Sequence, residues 1–325
     1  MTLFLHVKAQ WAADLKAGQA VESLFRVSEL NRRSKKDGSM FLALTLMDKS
    51  GHIDAKVWDQ VESVAKTLTP GMIHSVTGVV REYRGQLEVH VQRIQPLAEN
   101  ATIDEKDFQA GAEFDVDARF AAMIEFIAER LQNPQMRELL DLFVVEHGQA
   151  FRRHYGAQKI HHARVGGLLE HTDSMVRLAA LVAAHYGLDC DIMLMGALLH
   201  DLGKMREFTF EPAVQATAAG GLLGHIVISL EMCNDLCRRI SDFPETIRLH
   251  LQHLIASHHG EREFGSPEVP KTREAMALHV IDLLDSKLAI FLEASRRATP
   301  EQEFSDYIPA VSRRILIQNP PERND

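Results

Sequence analysis

The stretch GALLHDLGKM, residues 196–205, carries an apolar run directly into two adjacent ionisable residues. His200 and Asp201 follow the apolar side chains, and a leucine, a glycine and a lysine come next. A polar group that leaves water must be paired or must bind something, because an unpartnered one costs free energy. The apolar run therefore predicts a helix packed in a core, and the His-Asp pair at its end predicts a functional site.

The chain around this stretch is predicted to be helical from residue 118 onward. Apolar residues recur with a helical period over 118–132, and Asn133-Pro134 is typical of the first turn of a helix. Further helices are predicted over 168–186, 190–202, 224–240, 244–257 and 272–297. We expect an all-α bundle over residues 118–310, followed by a C-terminal tail over 311–325.

Residues 16–98 are predicted to form an all-β domain instead. Alternating apolar residues indicate strands over 20–30, 41–48, 53–59, 73–82 and 86–97, with a short helix over 60–68. Three strands, a helix and two strands is the element order of an OB-fold, a small five-stranded barrel. The expected fold class is therefore multidomain, with an N-terminal extension over 1–15, an OB-fold barrel, an acidic linker over 99–117 and the helical bundle.

Composition and charge narrow the class of protein. The 325 residues are 46% hydrophobic and 25% charged, which is typical of a soluble globular protein with two domains. No apolar stretch reaches the roughly 18 residues of a membrane span, and the N-terminus lacks a basic leader, so a cytoplasmic protein with no membrane partner is expected. The three cysteines form no disulfide framework and fit a reducing compartment.

The net charge of −9 is distributed unevenly along the chain. Residues 16–98 contain 12 Lys and Arg against 9 Asp and Glu, whereas the remainder contains 24 against 36. The overall charge argues against a nucleic-acid partner. The asymmetry nevertheless separates a mildly basic first domain from an acidic second one.

Further histidines and an aspartate lie beside apolar residues in the helical part. His171 and Asp282 lie within predicted helices, His225 starts one, and His258-His259 follow one. Imidazole and carboxylate together suit Mn, Fe, Co, Ni or Zn. Two such ions close together can activate one water for attack on phosphorus. This pattern predicts a site for divalent metal ions.

Asp201 and Lys204 are the candidate catalytic residues. A carboxylate next to a histidine can bridge two ions, which makes Asp201 the candidate bridge. Lys204 is four residues after His200 and would share its face if the helix continued, offering a positive charge to a phosphate. Gly203 is the alternative end of that helix.

The last metal ligand has a competitor three residues away. Asp285 lies on nearly the same helical face as Asp282, and we favour Asp282. The i, i+3 pair His250 and His253 is interpreted as structural. His279 is interpreted as a core residue, with support of Asp282 as the alternative.

The ordered set His171, His200-Asp201 and Asp282 resembles the H…HD…D signature of HD-domain metal-dependent phosphohydrolases. HDLGK is the usual local form of its core. His225 and the pair His258-His259 resemble the members of this superfamily that hold two or more metals, such as the HD-GYP phosphodiesterases.

The chain resembles the YhaM-type 3′→5′ exoribonucleases over nearly its whole length. The resemblance rests on an OB-fold followed, on its C-terminal side, by the segments HHARVGGLLEHTDSMVRLA, GLLGHIVIS and ASHHGEREFGSP. The resemblance implies a phosphodiesterase that shortens single-stranded RNA, with DNA as a further substrate, using two divalent ions, manganese foremost. One metal would be bound by His171, His200, Asp201 and Asp282, and a second by Asp201, His225, His258 and His259.

The barrel offers candidate contacts to such a strand. OB-folds bind oligonucleotides on the face of their second and third strands and with the loop before them. Basic side chains would follow the backbone and aromatic rings would stack on bases. The candidates are Arg32, Arg33, Lys35 and Lys36 between the first two strands, with Phe41, Trp58 and Tyr83. The alternatives are a solvated turn and a core position for Phe41.

Two other functions remain open at this stage. The first is an HD-type phosphohydrolase of small nucleotides or cyclic dinucleotides, although EREFGSP lacks the Gly-Tyr-Pro of the HD-GYP proteins. The second is a non-catalytic single-strand-binding protein with a structural metal, against which the full ligand set and Lys204 argue. The sequence also leaves open whether the chain forms a homo-oligomer.

Overall fold

A computed structural model of the chain describes residues 8–35, 38–83, 86–97, 103–108, 114–156, 165–209, 215–298 and 302–317. The chain divides into two compact units. One unit is Met1–Gly111 with Thr209–Gln215, and the other is Ala112–Phe208 with Ala216–Asp325. Within the described ranges, no helix is both long and apolar enough to span a membrane.

The first unit contains a closed five-stranded barrel. Its elements are β1 (Ala20–Ser34), β2 (Met40–Asp48), β3 (Gly51–Val57), α1 (Val61–Thr67), β4 (Ile73–Tyr83) and β5 (Gln86–Pro96). The strands are joined in the order β1-β2-β3-β5-β4, and β4 pairs back onto β1. Only the β3–β5 pairing among these strands is parallel. The predicted OB-fold is confirmed.

The barrel closes around alternating apolar side chains. Leu42, Leu44 and Leu46 on β2 are each at most 2% exposed, because alternate residues of a strand point to the same face. At Gly78 the β4–β5 register shifts. A Cβ atom at Gly78 would lie 2.4 Å from the carbonyl oxygen of His90, so this position needs glycine where the strands approach closely.

The basic segment after β1 lies partly in the strand. The prediction that Arg32 and Arg33 lie in the turn is wrong, because β1 and β2 pair as far as Ser34 opposite Met40. Arg33 lies opposite Phe41 in this ladder. Both arginines are exposed, so they belong to a strand surface rather than to a flexible turn.

Part of the acidic stretch after the barrel packs on it. A 3-10 helix covers Glu105–Phe108, and the Phe108 side chain is buried against Leu24 and Ile73. The Arg26 guanidinium donates a hydrogen bond to the Phe108 carbonyl oxygen at 3.1 Å. The described part of this stretch therefore extends the surface of the barrel.

The second unit is helical, as the sequence predicts. Its helices are α2 (Val116–Ala128), α3 (Pro134–Phe151), α4 (Gly167–Tyr186), α5 (Cys190–Leu199), α6 (Lys204–Glu207), α7 (Ala218–Arg238), α8 (Glu245–Ser257) and α9 (Arg273–Arg297). Two short strands, β6 (Phe208–Thr209) and β7 (Gln215–Ala216), lie between α6 and α7.

Helix α5 runs through the core of this unit. Every residue from Asp191 to Leu199 is buried. The helix ends at Leu199, earlier than the predicted 202, and the chain then turns into α6. The His200 amide still donates to the Gly196 carbonyl oxygen at 3.0 Å, so His200 and Asp201 are held rigidly at the end of a buried helix.

Helix α7 starts at Ala218 rather than at the predicted 224, and it is broken within its length. Gly224 has a φ of 71° and a ψ of 161°, which interrupts the helix. His225 is therefore the first residue of the second helical segment. The break places another site residue at a helix start.

Candidate metal centre

Four segments of the helical unit bring six of the predicted ligands together, and α9 adds the seventh, Asp282. Two groups of donor atoms result, and within each group the atoms lie within 4.8 Å of one another. The first group is His171 of α4 with His200 and Asp201 after α5, and the second is His225 of α7 with His258 and His259 at the end of α8.

Asp201 lies between the two groups, and each of its oxygens faces one of them. The Oδ2 atom is 3.3 Å from His200 Nε2 and 3.7 Å from His171 Nε2. The Oδ1 atom is 3.4 Å from His225 Nε2 and 3.8 Å from His258 Nε2. This is the arrangement of a carboxylate that can bind one cation through each oxygen.

Three of the histidines are oriented by main-chain carbonyl groups. A carbonyl oxygen only accepts, so each Nδ1 atom carries the hydrogen and each Nε2 atom of the neutral ring keeps its lone pair. The bonds run from His200 to Ala197 at 2.8 Å, from His258 to Ile255 at 2.7 Å and from His259 to Phe264 at 2.9 Å. Burial lowers the pKa of His258 and of His259, which favours the neutral ring.

The structure separates Asp282 from its competitor. Asp282 Oδ1 is 3.3 Å from His171 Nε2, the ring nitrogen that faces the first group. Asp285 Oδ2 is 2.7 Å from His171 Nδ1, on the opposite edge of the ring. Ser174 also donates to Asp285. Asp282 thus lies with the donor atoms, while Asp285 lies behind the ring.

The donor set fits divalent cations. The Nε2 atoms of His225 and His258 are buried and have no hydrogen-bond partner among the described residues. Buried lone pairs without a donor are unfavourable unless a cation occupies the space they face. Donors bonded at about 2.1 Å to one ion lie about 3.0–3.4 Å apart in octahedral or tetrahedral geometry, close to the separations around Asp201.

The ionisable groups also favour positive charge at the centre. Burial alone would lower the pKa of His171, but hydrogen bonds to Asp282 and Asp285 raise it to about 10. Burial alone would raise the pKa of Asp201, but Lys204 and the neighbouring histidines hold it well below its usual value. Asp201 is therefore ionised, and the hydrogen bonds to Asp282 and Asp285 favour a proton on His171.

Lys204 contacts the bridging candidate directly. Its Nζ atom donates to Asp201 Oδ2 at 2.6 Å. Burial alone would lower the pKa of Lys204, but Asp201 raises it, so the ammonium is charged. The contact joins residues three apart in the sequence. Between them, a turn that includes Gly203 replaces the continuous helix that the sequence also allowed.

Gly203 allows this turn to pack against α7. Its own backbone is helical, so no unusual φ is required. A Cβ atom there would lie 2.1 Å from the carbonyl oxygen of His225 and 2.6 Å from the amide nitrogen of Ser229. The Gly203 amide donates to Ser229 Oγ at 2.7 Å. Direct contact between these backbones sets the spacing between Asp201 and His225.

Sequence reasoning missed Glu207, and it interpreted His279 as a core residue. Glu207 Oε2 is 3.3 Å from His225 Nδ1, a contact that depends on how α6 packs against α7. His279 Nδ1 donates to the His258 carbonyl oxygen at 2.9 Å, so it supports the backbone of a candidate ligand. Spacing along one helix could not reveal either contact, since both join different helices.

The barrel presents a separate cluster of rings and ammonium groups. Phe41 and Trp58 stack with their centroids 4.8 Å apart. Lys35 Nζ lies 4.9 Å from the centre of the Trp58 ring, and Lys56 Nζ lies 4.9 Å from that of Tyr83. We call these five residues the aromatic face. Arg32 instead pairs with Glu62 at 3.4 Å, and Lys36 lies outside the described residues.

Comparison with known proteins agrees with both units. A family model described as "HD domain" matches residues 168–287, and one described as "OB-fold nucleic acid binding domain" matches residues 26–97. The chain is 34% identical over 304 residues to the 3′-5′ exoribonuclease YhaM of Bacillus subtilis (strain 168), with 93% of this chain and 96% of the relative covered. The YhaM of Halalkalibacterium halodurans is 33% identical, with 93% and 94% covered.

The fold and the candidate centre define the class of protein. It is an enzyme of the HD class of metal-dependent phosphohydrolases, with an OB-fold nucleic-acid-binding domain at its N-terminal side. Its relatives match over nearly their full length. The chain belongs to the YhaM family of 3′-5′ exoribonucleases, so the resemblance found in its motifs is confirmed.

Proposed function

We propose that this protein shortens single-stranded RNA from its 3′ end by hydrolysing the terminal phosphodiester bond at two divalent metal ions. The observation that carries the proposal is the carboxylate of Asp201, whose two oxygens face two separate histidine groups. The names and full-length match of the relatives support RNA as the substrate.

The two groups divide the proposed ligands. His171, His200 and Asp282 would hold one ion with Asp201 Oδ2, and His225, His258 and His259 would hold the other with Asp201 Oδ1. When bound, the ions would supply an activated water and neutralise the charge that develops on the phosphate. Manganese is our first choice, and Fe, Co, Ni or Zn suit the same donors.

Lys204 is the proposed phosphate-binding residue. Its ammonium group is charged and its side chain is about 20% exposed, so it is placed to meet a substrate oxygen while it remains near Asp201. A cation held in a site of low dielectric stabilises developing negative charge more strongly than it would in water. Lys204 would therefore bind a non-bridging phosphate oxygen.

The aromatic face of the barrel is the proposed binding surface for the strand. Tyr83 is 54% exposed, and the stacked rings of Phe41 and Trp58 are half-buried. Rings of this kind stack on bases irrespective of sequence, and nearby ammonium groups neutralise phosphates. Arg33 lies opposite Phe41 in the β1–β2 ladder. Stacking of this kind serves single-stranded DNA as well as RNA, so we propose DNA as a further substrate.

Incubation of the purified protein with Mn²⁺ and a 5′-labelled single-stranded oligoribonucleotide tests the proposal. We expect a ladder of products shortened one nucleotide at a time from the 3′ end, and none from an Asp201→Ala variant. The same assay with a labelled DNA strand and a cyclic dinucleotide ranks the substrates. Absence of products with the wild-type protein, or undiminished activity in Asp201→Ala, would refute it.

A cytoplasmic location goes with this proposal. The three cysteines, Cys190, Cys233 and Cys237, are free thiols, which is typical of proteins kept in a reducing compartment. Fractionation of cells that produce the protein, followed by immunodetection, tests the location.

A further inference from the structure

Each donor group contains one histidine that is held by a carboxylate from outside the group. In the first group Asp285 Oδ2 lies 2.7 Å from His171 Nδ1. In the second group Glu207 Oε2 lies 3.3 Å from His225 Nδ1. A carboxylate at Nδ1 orients the ring and strengthens Nε2 as a metal ligand.

Glu207 holds the main chain of His225 as well as its ring. The His225 amide donates to Glu207 Oε1 at 3.2 Å. Gly224 breaks α7, so this amide stands at the start of a helical segment. Amides in the first turn of a helical segment have no carbonyl acceptor within that segment and need another partner. One carboxylate therefore contacts both the main chain and the ring of His225.

Glu207 is itself fixed by close packing of its backbone. Its carbonyl oxygen accepts from the Thr217 amide at 2.9 Å. A Cβ atom at Gly220 would lie 2.2 Å from the same oxygen, so the start of α7 is in direct contact with Glu207. Its side chain is about 14% exposed, and it is anchored in the way a residue that positions a ligand must be.

We propose that Glu207 is a positioning residue that sets the metal affinity of the second group, His225, His258 and His259, as Asp285 does for the first. The proposal rests on the two-metal assignment under the proposed function. It assigns Glu207 no contact with the substrate and none with a metal ion. Its effect passes through His225 alone.

Titration of the metal-free full-length protein with Mn²⁺ tests this proposal, with free Mn²⁺ followed by electron paramagnetic resonance. The wild-type protein should bind two ions. Glu207→Ala should bind one ion with wild-type affinity and the other about 10–100-fold more weakly, the usual effect of removing such a partner. Glu207→Gln should lose less, because its amide oxygen still accepts from the His225 amide.

Double variants identify the affected position. In a His258→Ala background, which lacks a ligand of the second group, Glu207→Ala should change Mn²⁺ binding no further, because both changes act on the same position. In a His171→Ala background it should remove the remaining tight site. Asp285→Asn should change Mn²⁺ binding no further in the His171→Ala background. In the His258→Ala background it should remove the remaining tight site.

Tight binding of two ions by Glu207→Ala would overturn the proposal, and so would an additive loss in the His258→Ala background. Glu207→Gln keeps the test decisive if the alanine variant does not fold. The titration contains no RNA, so the two proposals fail separately. A wild-type protein that binds two ions but leaves RNA intact refutes only the exonuclease function. RNA shortening by the wild type, with two tight ions in Glu207→Ala, refutes only the role of Glu207.

Discussion

Replacing Gly203 with alanine tests whether backbone contact between α6 and α7 sets the metal centre. The added methyl group would lie 2.1 Å from the His225 carbonyl oxygen and 2.6 Å from the Ser229 amide nitrogen. These are backbone atoms, so the two segments must separate. Overpacking of this kind costs about 1–3 kcal/mol, which lowers the Tm of a domain of this size by roughly 2–12 °C.

The separation should affect activity more than stability. Moving His225 away from Asp201 separates the donor atoms of the second group, which weakens their binding of an ion. A misplacement of about 1 Å can cost about 10²-fold in rate. We expect Gly203→Ala to remain folded, to bind one Mn²⁺ tightly instead of two, and to shorten RNA about 10²-fold more slowly. Circular dichroism, metal titration and the labelled-strand assay measure these quantities.

Gly221 provides the matched control. It lies in the first segment of α7, and a Cβ atom there would meet nothing within 4 Å. Alanine favours a helix over glycine by about 0.5–1 kcal/mol, so Gly221→Ala should keep full activity and a Tm equal to or above that of the wild type. Wild-type activity and Tm in Gly203→Ala, or equal damage from both variants, would refute the reasoning.

Three further predictions address the phosphate, the strand and pH. Lys204→Met should lower kcat by about 10²–10³-fold while both metals are retained, and an unchanged kcat would contradict its role. Trp58→Ala should weaken oligoribonucleotide binding by about 1–3 kcal/mol in an anisotropy titration. Tyr186→Ala, which removes a 63% exposed residue of the helical unit, should leave binding unchanged. Equal losses in the two variants would contradict the proposal that the aromatic face binds the strand. Burial holds the pKa of His154 at about 4, below the roughly 6.5 of an unfolded chain. The neutral His154 ring therefore contributes fully to the free energy of unfolding above about pH 6.5. This contribution falls by roughly 1–3 kcal/mol as the pH drops toward 4. Urea unfolding at about pH 7.5 and 5 should show that His154→Gln loses less free energy of unfolding between these pH values than the wild type does. An identical loss in both proteins would contradict this prediction.

Local patterns predicted most of the fold. The alternation of Leu42, Leu44 and Leu46 and the apolar run before His200 correspond to a barrel strand and a buried helix, because each pattern matches the period of its element. Boundaries were less predictable. Pairing with β2 extends β1 to Ser34. Helix α5 ends at Leu199, before the turn in which Gly203 packs against α7.

The sequence predicted the candidate metal ligands, but it did not predict the residues that contact and orient those ligands. Asp282 and Asp285 are three residues apart on α9, and only the position of the His171 ring separates their roles. Glu207 lies in a turn of four helical residues with no periodic pattern, and its contact with His225 exists because Gly224 breaks α7. Such contacts depend on the packing of segments that are distant in sequence.

Anomalous scattering from crystals soaked with Mn²⁺ tests the central claim most directly. Two peaks should appear about 3.5–4 Å apart, the usual spacing of two-metal sites, one on each side of the Asp201 carboxylate. One should lie beside His171 and His200, and the other beside His225 and His258. A single peak, or peaks that Asp201 does not touch, would contradict the account.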